Sequence, residues 1–155
     1  MNKKLDAIDI AILRILQLNA TVPYKYIAEI LNKSEATISA RIKRLNDLKV
    51  IRSITAQLDP SWLGIDTIGS IHLEVESQSD EAMQQLRTVL NGIQGICSCT
   101  RISINVPIGL KVDVAVDHLK SFDGIKDTLA SIPNVMVTRQ YLELEKIILD
   151  KGFYF

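Results

Sequence analysis

Apolar residues in the first third of the chain return every three to four positions. Leu5, Ile8, Ile12 and Ile15 keep that spacing, which places them along one side of a helix over 5–18. Asp6 and Asp9 fall in its first turn, where carboxylates suit the positive end of the helix dipole. Pro23 opens a second, short helix whose inward side is Ile27, Ile30 and Leu31, since the early N–H groups of a helix need no helical partner. Asn32-Lys33 ends it, asparagine being a common left-handed terminator. Ser34 then offers an N-cap oxygen to a third helix running to Leu48, with Ile38, Ile42 and Leu45 as its apolar stripe. Two short helices joined by so tight a turn, after a helix able to pack across both, predict a helix-turn-helix.

Past Leu48 the period changes to two. Lys49 to Leu58 sets Ile54, Ala56 and Leu58 on one side and predicts a strand leaving the first domain. The stretch LDPSWLG, 58–64, carries the turn residues Asp59, Pro60 and Gly64 of a linker, with Trp62 expected to plug the space between domains. A strand over 66–76 alternates Ile71, Leu73 and Val75 with His72, Glu74 and Glu76. A helix over 80–91 buries Met83, Leu86, Val89 and Leu90, and strands follow near 94–104 and 108–117. Leu119, Phe122, Ile125 and Leu129 mark another helix, and Val135 to Leu144 a last strand. The order βαββαβ is ferredoxin-like. Such a sheet carries its helices on one side, and a second copy of the chain is a natural cover for the other.

The net charge of zero hides a division. Residues 1–60 hold ten Lys and Arg against six Asp and Glu, whereas the remainder holds eight against twelve. Opposite signs in the two halves fit a nucleic-acid-facing module joined to a different second one. No apolar run approaches the roughly 20 residues that span a bilayer. The start, MNKKLDAID, lacks the apolar stretch of a secretory signal, so the expectation is a soluble, cytoplasmic protein without a membrane partner. Cys97 and Cys99, the only cysteines, would share a face of a strand, which disfavours a disulfide between them. Metal binding would want further ligands, and the expected state is a reduced pair packed on the strand. His72 and His118 have no sequence-local partner or nucleophile motif, and the glycines build no phosphate-binding loop. No enzyme activity, catalytic residue, metal or cofactor is expected.

The third helix is the informative one. Opposite its apolar stripe it carries Ala36, Thr37, Ser39, Ala40, Lys43 and Arg44. A merely solvated face would more often alternate Glu with Lys at i,i+4. Small residues allow close approach to base edges, hydroxyls bond to them, and alanine and threonine methyls touch thymine. The candidate DNA-binding face therefore comprises Ser34, Glu35, Ala36, Thr37, Ser39 and Ala40, followed by Lys43 and Arg44, which point outward toward phosphate or, for Arg44, a guanine edge. Arg41 flanks the apolar stripe. It either anchors a phosphate with its stem on the core or pairs with an acid inside the chain. Tyr24 and Lys25 begin the second helix, where backbone N–H groups favour phosphate. The rival reading is a ligand-binding metabolic sensor whose helical half mediates protein contacts.

Taken in order, Leu5-Asp6, Asp9, Ile12-Leu13, Leu16, Ile27-Ala28, Leu31, Ser34, Ile38, Arg41-Ile42, Leu45, Val50-Ile51, Leu58 and Leu63-Gly64 resemble the Lrp/AsnC family of transcription regulators. The resemblance runs nearly the full length. It implies an α+β chain: a winged helix-turn-helix DNA-binding domain over 1–52, a hinge strand and linker over 53–65, and a ferredoxin-like oligomerisation and candidate effector domain over 66–155. It further implies a homodimer, or a tetramer or octamer built from dimers, on double-stranded DNA. Three departures stand out. Thr21 replaces a customary Arg, and Asn32 and Lys49 replace glycines. The family's Thr-Gly-x-x-Asp effector motif is absent from SINVPIGLKVD, whose altered loop offers Asn105, Pro107 and Gly109, so the resemblance does not carry an amino-acid effector over to this chain.

Overall fold

The structure, a computed structural model, describes residues 5–103 and 108–145. They divide into two compact units, one ending at Gln57 and the other beginning at Leu58.

The first unit holds α1 (Ala7–Leu18), α2 (Tyr24–Ile30) and α3 (Glu35–Asp47). α1 begins with a reciprocal capping box. The Asp6 carboxylate accepts the Ile8 and Asp9 N–H groups, and the Asp9 carboxylate accepts that of Asp6 at 3.2 Å. α2 and α3 end alike. Lys33 N–H returns to the Ala28 carbonyl and Val50 N–H to that of Leu45, both at 2.9 Å, while Asn32 and Lys49 donate to Glu29 and Asn46. This Schellman arrangement needs a left-handed residue, supplied by Asn32 at φ 50° and Lys49 at φ 57°. Asparagine tolerates the conformation, but a lysine Cβ crowds the following carbonyl there. Ile12, Leu16, Ile27, Ala28, Ile38, Ile42 and Leu45 form the core. Each large side chain buried there contributes about 1.5–3 kcal/mol.

The alternation over 49–58 does not become a strand: residues 52–59 carry no regular element. A strand requires a neighbour to complete its ladder, and none of the strand pairings among the described residues includes this segment. A single 3-10 turn follows over Pro60–Leu63, capped by Asp59 and closed by Gly64 in the left-handed region. Trp62 is not the expected plug. It is 88% exposed, with Leu58 and Leu63 also exposed, because one isolated turn has no second layer to shelter a ring of that size.

The second unit is built from β1 (Thr67–Val75), α4 (Asp80–Asn91), β2 (Ile96–Ser103), β3 (Ile108–Val116), α5 (Leu119–Ala130) and β4 (Val135–Leu142). The strands pair antiparallel in the order β2-β3-β1-β4, the ferredoxin-like arrangement. Ile71, Leu73, Leu110, Val112 and Val114 on one sheet face meet Leu86 and Leu90 of α4 and Phe122, Ile125 and Leu129 of α5. Gly69 lets β1, β4 and α5 close up, since a Cβ there would strike the Tyr141 carbonyl and the Phe122 ring. The other sheet face is polar. Ser98 donates to Asp113 at 2.6 Å, Lys111 pairs with Asp113 at 2.8 Å, and His72 meets Tyr141 edge-on at 5.1 Å. His118 is the N-cap of α5, its Nδ1 accepting the Ser121 N–H.

Asn105 and Pro107 lie outside the described residues. Gly109 belongs to β3, paired with Glu74 and Ile102, and a Cβ on it would press on the Leu73 carbonyl. The two cysteines are free and exposed instead of packed. β2 is an edge strand, so the two thiols lie at the margin of the layer.

Candidate nucleic-acid interface

α3 begins as its sequence requires. The Ser34 hydroxyl accepts the Thr37 N–H at 3.1 Å and lies 2.8 Å from the Thr37 hydroxyl. The cap therefore occupies both Ser34 and Thr37, and Thr37 is half-buried. Glu35, in the first turn, suits the helix dipole. Past the cap, Ala36, Ser39, Ala40 and Lys43 are exposed. At 100° per residue they cover about 100° of the surface opposite Ile38. Ser39 and Lys43 make no side-chain hydrogen bond or ion pair among the described residues, so a hydroxyl and an ammonium on this face are free for a ligand.

The two arginines are placed otherwise. Arg41 Nη1 donates to Asp6 at 2.6 Å and to Asp9 at 2.8 Å, so of the two roles open to it the intramolecular pair is the one formed. Arg44 does not simply point outward: its Nη1 donates to the other Asp9 oxygen at 2.9 Å, although the side chain stays about half exposed. Asp9 is fully buried, the one charged residue in the core among those described. Burial pushes its carboxyl pKa up, but the Asp6 N–H and the two guanidiniums outweigh that and hold it below the usual carboxylate value. The Asp6 carboxyl is lowered first by Arg41 and then by the Asp9 N–H, and Arg41 is raised in return, by Asp6 and then Asp9. One buried carboxylate thus binds the start of α1 to one flank of α3. The signal for it lay in the sequence as the D-x-x-D spacing of the capping box, with the second Asp three residues before Ile12 of the apolar stripe.

Tyr24 and Lys25 are exposed in the first turn of α2, and Lys33 and Lys49 are exposed in the turns flanking α3. Lys33 was not among the candidates that the sequence offered. Its place directly before the N-cap was the available hint. Among the described residues no three His, Cys, Asp or Glu side chains are grouped to hold a metal ion, and no helix is long and apolar enough to cross a membrane.

Comparison with known proteins agrees with this geometry. Residues 5–46 match the model of the AsnC-type helix-turn-helix domain. The chain is 26% identical over 151 residues to the proline dehydrogenase transcriptional activator of Rhodobacter capsulatus, covering 96% of each. It is 27% identical over 146 residues to the leucine-responsive regulatory protein of Haemophilus influenzae, covering 94% of this chain and 87% of that one. Among solved structures, a transcriptional regulator of Neisseria meningitidis in complex with L-Met shares the fold with a TM-score of 0.80, at 21% identity over 94% of each chain.

Proposed function

The chain belongs to the Lrp/AsnC family of DNA-binding transcriptional regulators, and from that premise we propose that it reads specific pseudo-palindromic sites as a homodimer or an oligomer of dimers. The observation that carries this reading is the exposed face of α3, where small residues and a free hydroxyl precede Lys43. Ala36, Ser39 and Ala40 lie against base edges in the major groove, and Thr37 adds its methyl. Lys43 meets phosphate, helped by Tyr24 and Lys25 at the start of α2. Ser34 and Glu35 act mainly by shaping the helix start. Arg41 holds α3 in place, and Arg44 does so while its exposed half stays within reach of the backbone. Neutralising several phosphates makes affinity fall steeply with salt.

The dimer reading is supported by the polar sheet face that α4 and α5 leave bare and by exposed Leu58, Trp62 and Leu63. Residues 53–65 then serve as the hinge between a DNA-binding domain and an oligomerising one. That a regulator of the same fold holds L-Met supports modulation of this chain by a small molecule.

Selection of genomic fragments by the full-length protein, followed by footprinting, tests the proposal. The expected pattern is paired protected half-sites about 34 Å apart, or a multiple of that. Protection without sequence preference, or of single unpaired sites, overturns it.

A further inference from the structure

Between α4 and the edge strand β2 lies an open cleft of about 690 Å³, within the size range of small-molecule sites. Its floor is apolar, made by Met83, Leu86, Leu90 and Ile96. Its rim is not. Arg87 enters from α4, Arg101 from β2, and among the described residues Asp80 is the only acid that lines it. Arg87 is steadied by Gln84, to which its Nη1 donates at 3.1 Å. Arg101 pairs in register with Leu110, a core residue of the helix-covered sheet face, and makes no ion pair among the described residues. An unpaired guanidinium on the core-facing side of a sheet, lining the same apolar-floored cleft as a second one, is a poor arrangement for packing. It is a good one for a carboxylate, which a guanidinium binds bidentately.

We propose that this cleft binds a small carboxylate with a short apolar body, the acid held by Arg101 and Arg87 and the body lying on Met83 and Leu86. The proposal leans on the reading of a regulator modulated by a small molecule only for its consequence at DNA. Occupancy of the cleft is a separate question with a separate readout.

Cys97 and Cys99 supply that readout, because both line the cleft and the chain has no other thiol. The full-length protein is alkylated with iodoacetamide in the presence of leucine, isocaproate, ketoisocaproate or isoamylamine, and the modified thiols are followed by mass spectrometry. The three carboxylates are expected to slow alkylation, by about fivefold or more near saturation, while the amine leaves it unchanged. Comparing leucine with the two acids lacking its ammonium tells whether the natural source is an amino acid or an organic acid. Replacing both arginines by glutamine (R87Q, R101Q) is expected to weaken protection about tenfold or more. Both side chains are exposed, so the fold should survive, and an unchanged circular-dichroism melt confirms it.

A rival role for Arg101 is to guard the edge strand against pairing with other chains, as inward-facing charges on edges do. That role holds, and the proposal falls, if no carboxylate protects up to about 10 mM, if the amine alone protects, or if the double variant is protected equally. The last two outcomes leave the assignment of α3 to DNA untouched, and so does the first.

Discussion

Asp9 shows how much one residue can decide. Its buried carboxylate satisfies the Asp6 N–H and two guanidiniums, and no buried side-chain polar atom among the described residues is left without a partner. Asp9→Asn keeps the shape but removes the charge that both arginines share. The expected cost is about 2–3 kcal/mol, toward the low end for a broken buried pair because Arg44 is half in water. The Asp9 pKa is lower folded than unfolded, so its contribution is complete above the unfolded value near 4 and is lost as pH falls through the folded one. Urea unfolding of the two proteins should therefore differ fully at pH 6 and converge in acid. A gap that persisted at the lowest pH would mean that the loss is one of shape and not of charge. Lys49 is the opposite case, a residue at odds with its φ of 57°. Lys49→Gly should stabilise the helical unit by about 0.5–1 kcal/mol, the relief of strain exceeding the entropy glycine adds to the unfolded chain. If the variant is no more stable, the turn is not strained. A flatter salt dependence of DNA affinity would add that Lys49 also touches phosphate.

At the scale of the element, α3 divides its labour by face. Arg41 and Arg44, one turn apart, occupy the flank toward α1, and Ala36, Ser39, Ala40 and Lys43 the outer surface. Ser39→Ala should change which sequences are preferred while leaving random-sequence affinity alone. Lys43→Ala should lower affinity for all sequences alike and reduce the slope of log affinity against log salt by about one. Competitive binding of operator and random duplexes at several salt concentrations measures both. Wild-type behaviour in both variants would remove α3 from the groove. The sequence showed the outer face well, because helical periodicity sets which residues oppose Ile38. It left Arg41 open and misjudged Arg44, because the partners of each are 32 to 35 residues away along the chain, where no local pattern reaches.

For the whole molecule, the exposed tryptophan is the most direct reporter of assembly. Trp62 is the only tryptophan, and in the single chain it is 88% exposed. If the proposed dimer covers it, emission should shift to the blue as concentration rises, in step with the sedimentation coefficient. Trp62→Ala should then weaken association by about 2 kcal/mol or more, as truncating a buried aromatic anchor does. A dimer by sedimentation whose emission never moves would place Trp62 outside the interface.

What the sequence determined by itself was the set of elements and their order. Periods of 3.6 and 2 marked, to within a few residues, the five α-helices and four strands of the described residues, since each is a local consequence of which side chains must leave water. The cap at Ser34 and the left-handed turn at Asn32 were legible for the same reason. What only the tertiary structure decided were the pairings across distance: the clasp of Asp9 by two arginines, the edge position that exposes Cys97 and Cys99, and the α4–β2 cleft with its arginines. The alternation over 49–58 failed for this reason too. Apolar periodicity states which side of a segment avoids water, but a ladder needs a second strand, and only the folded molecule says whether one is there.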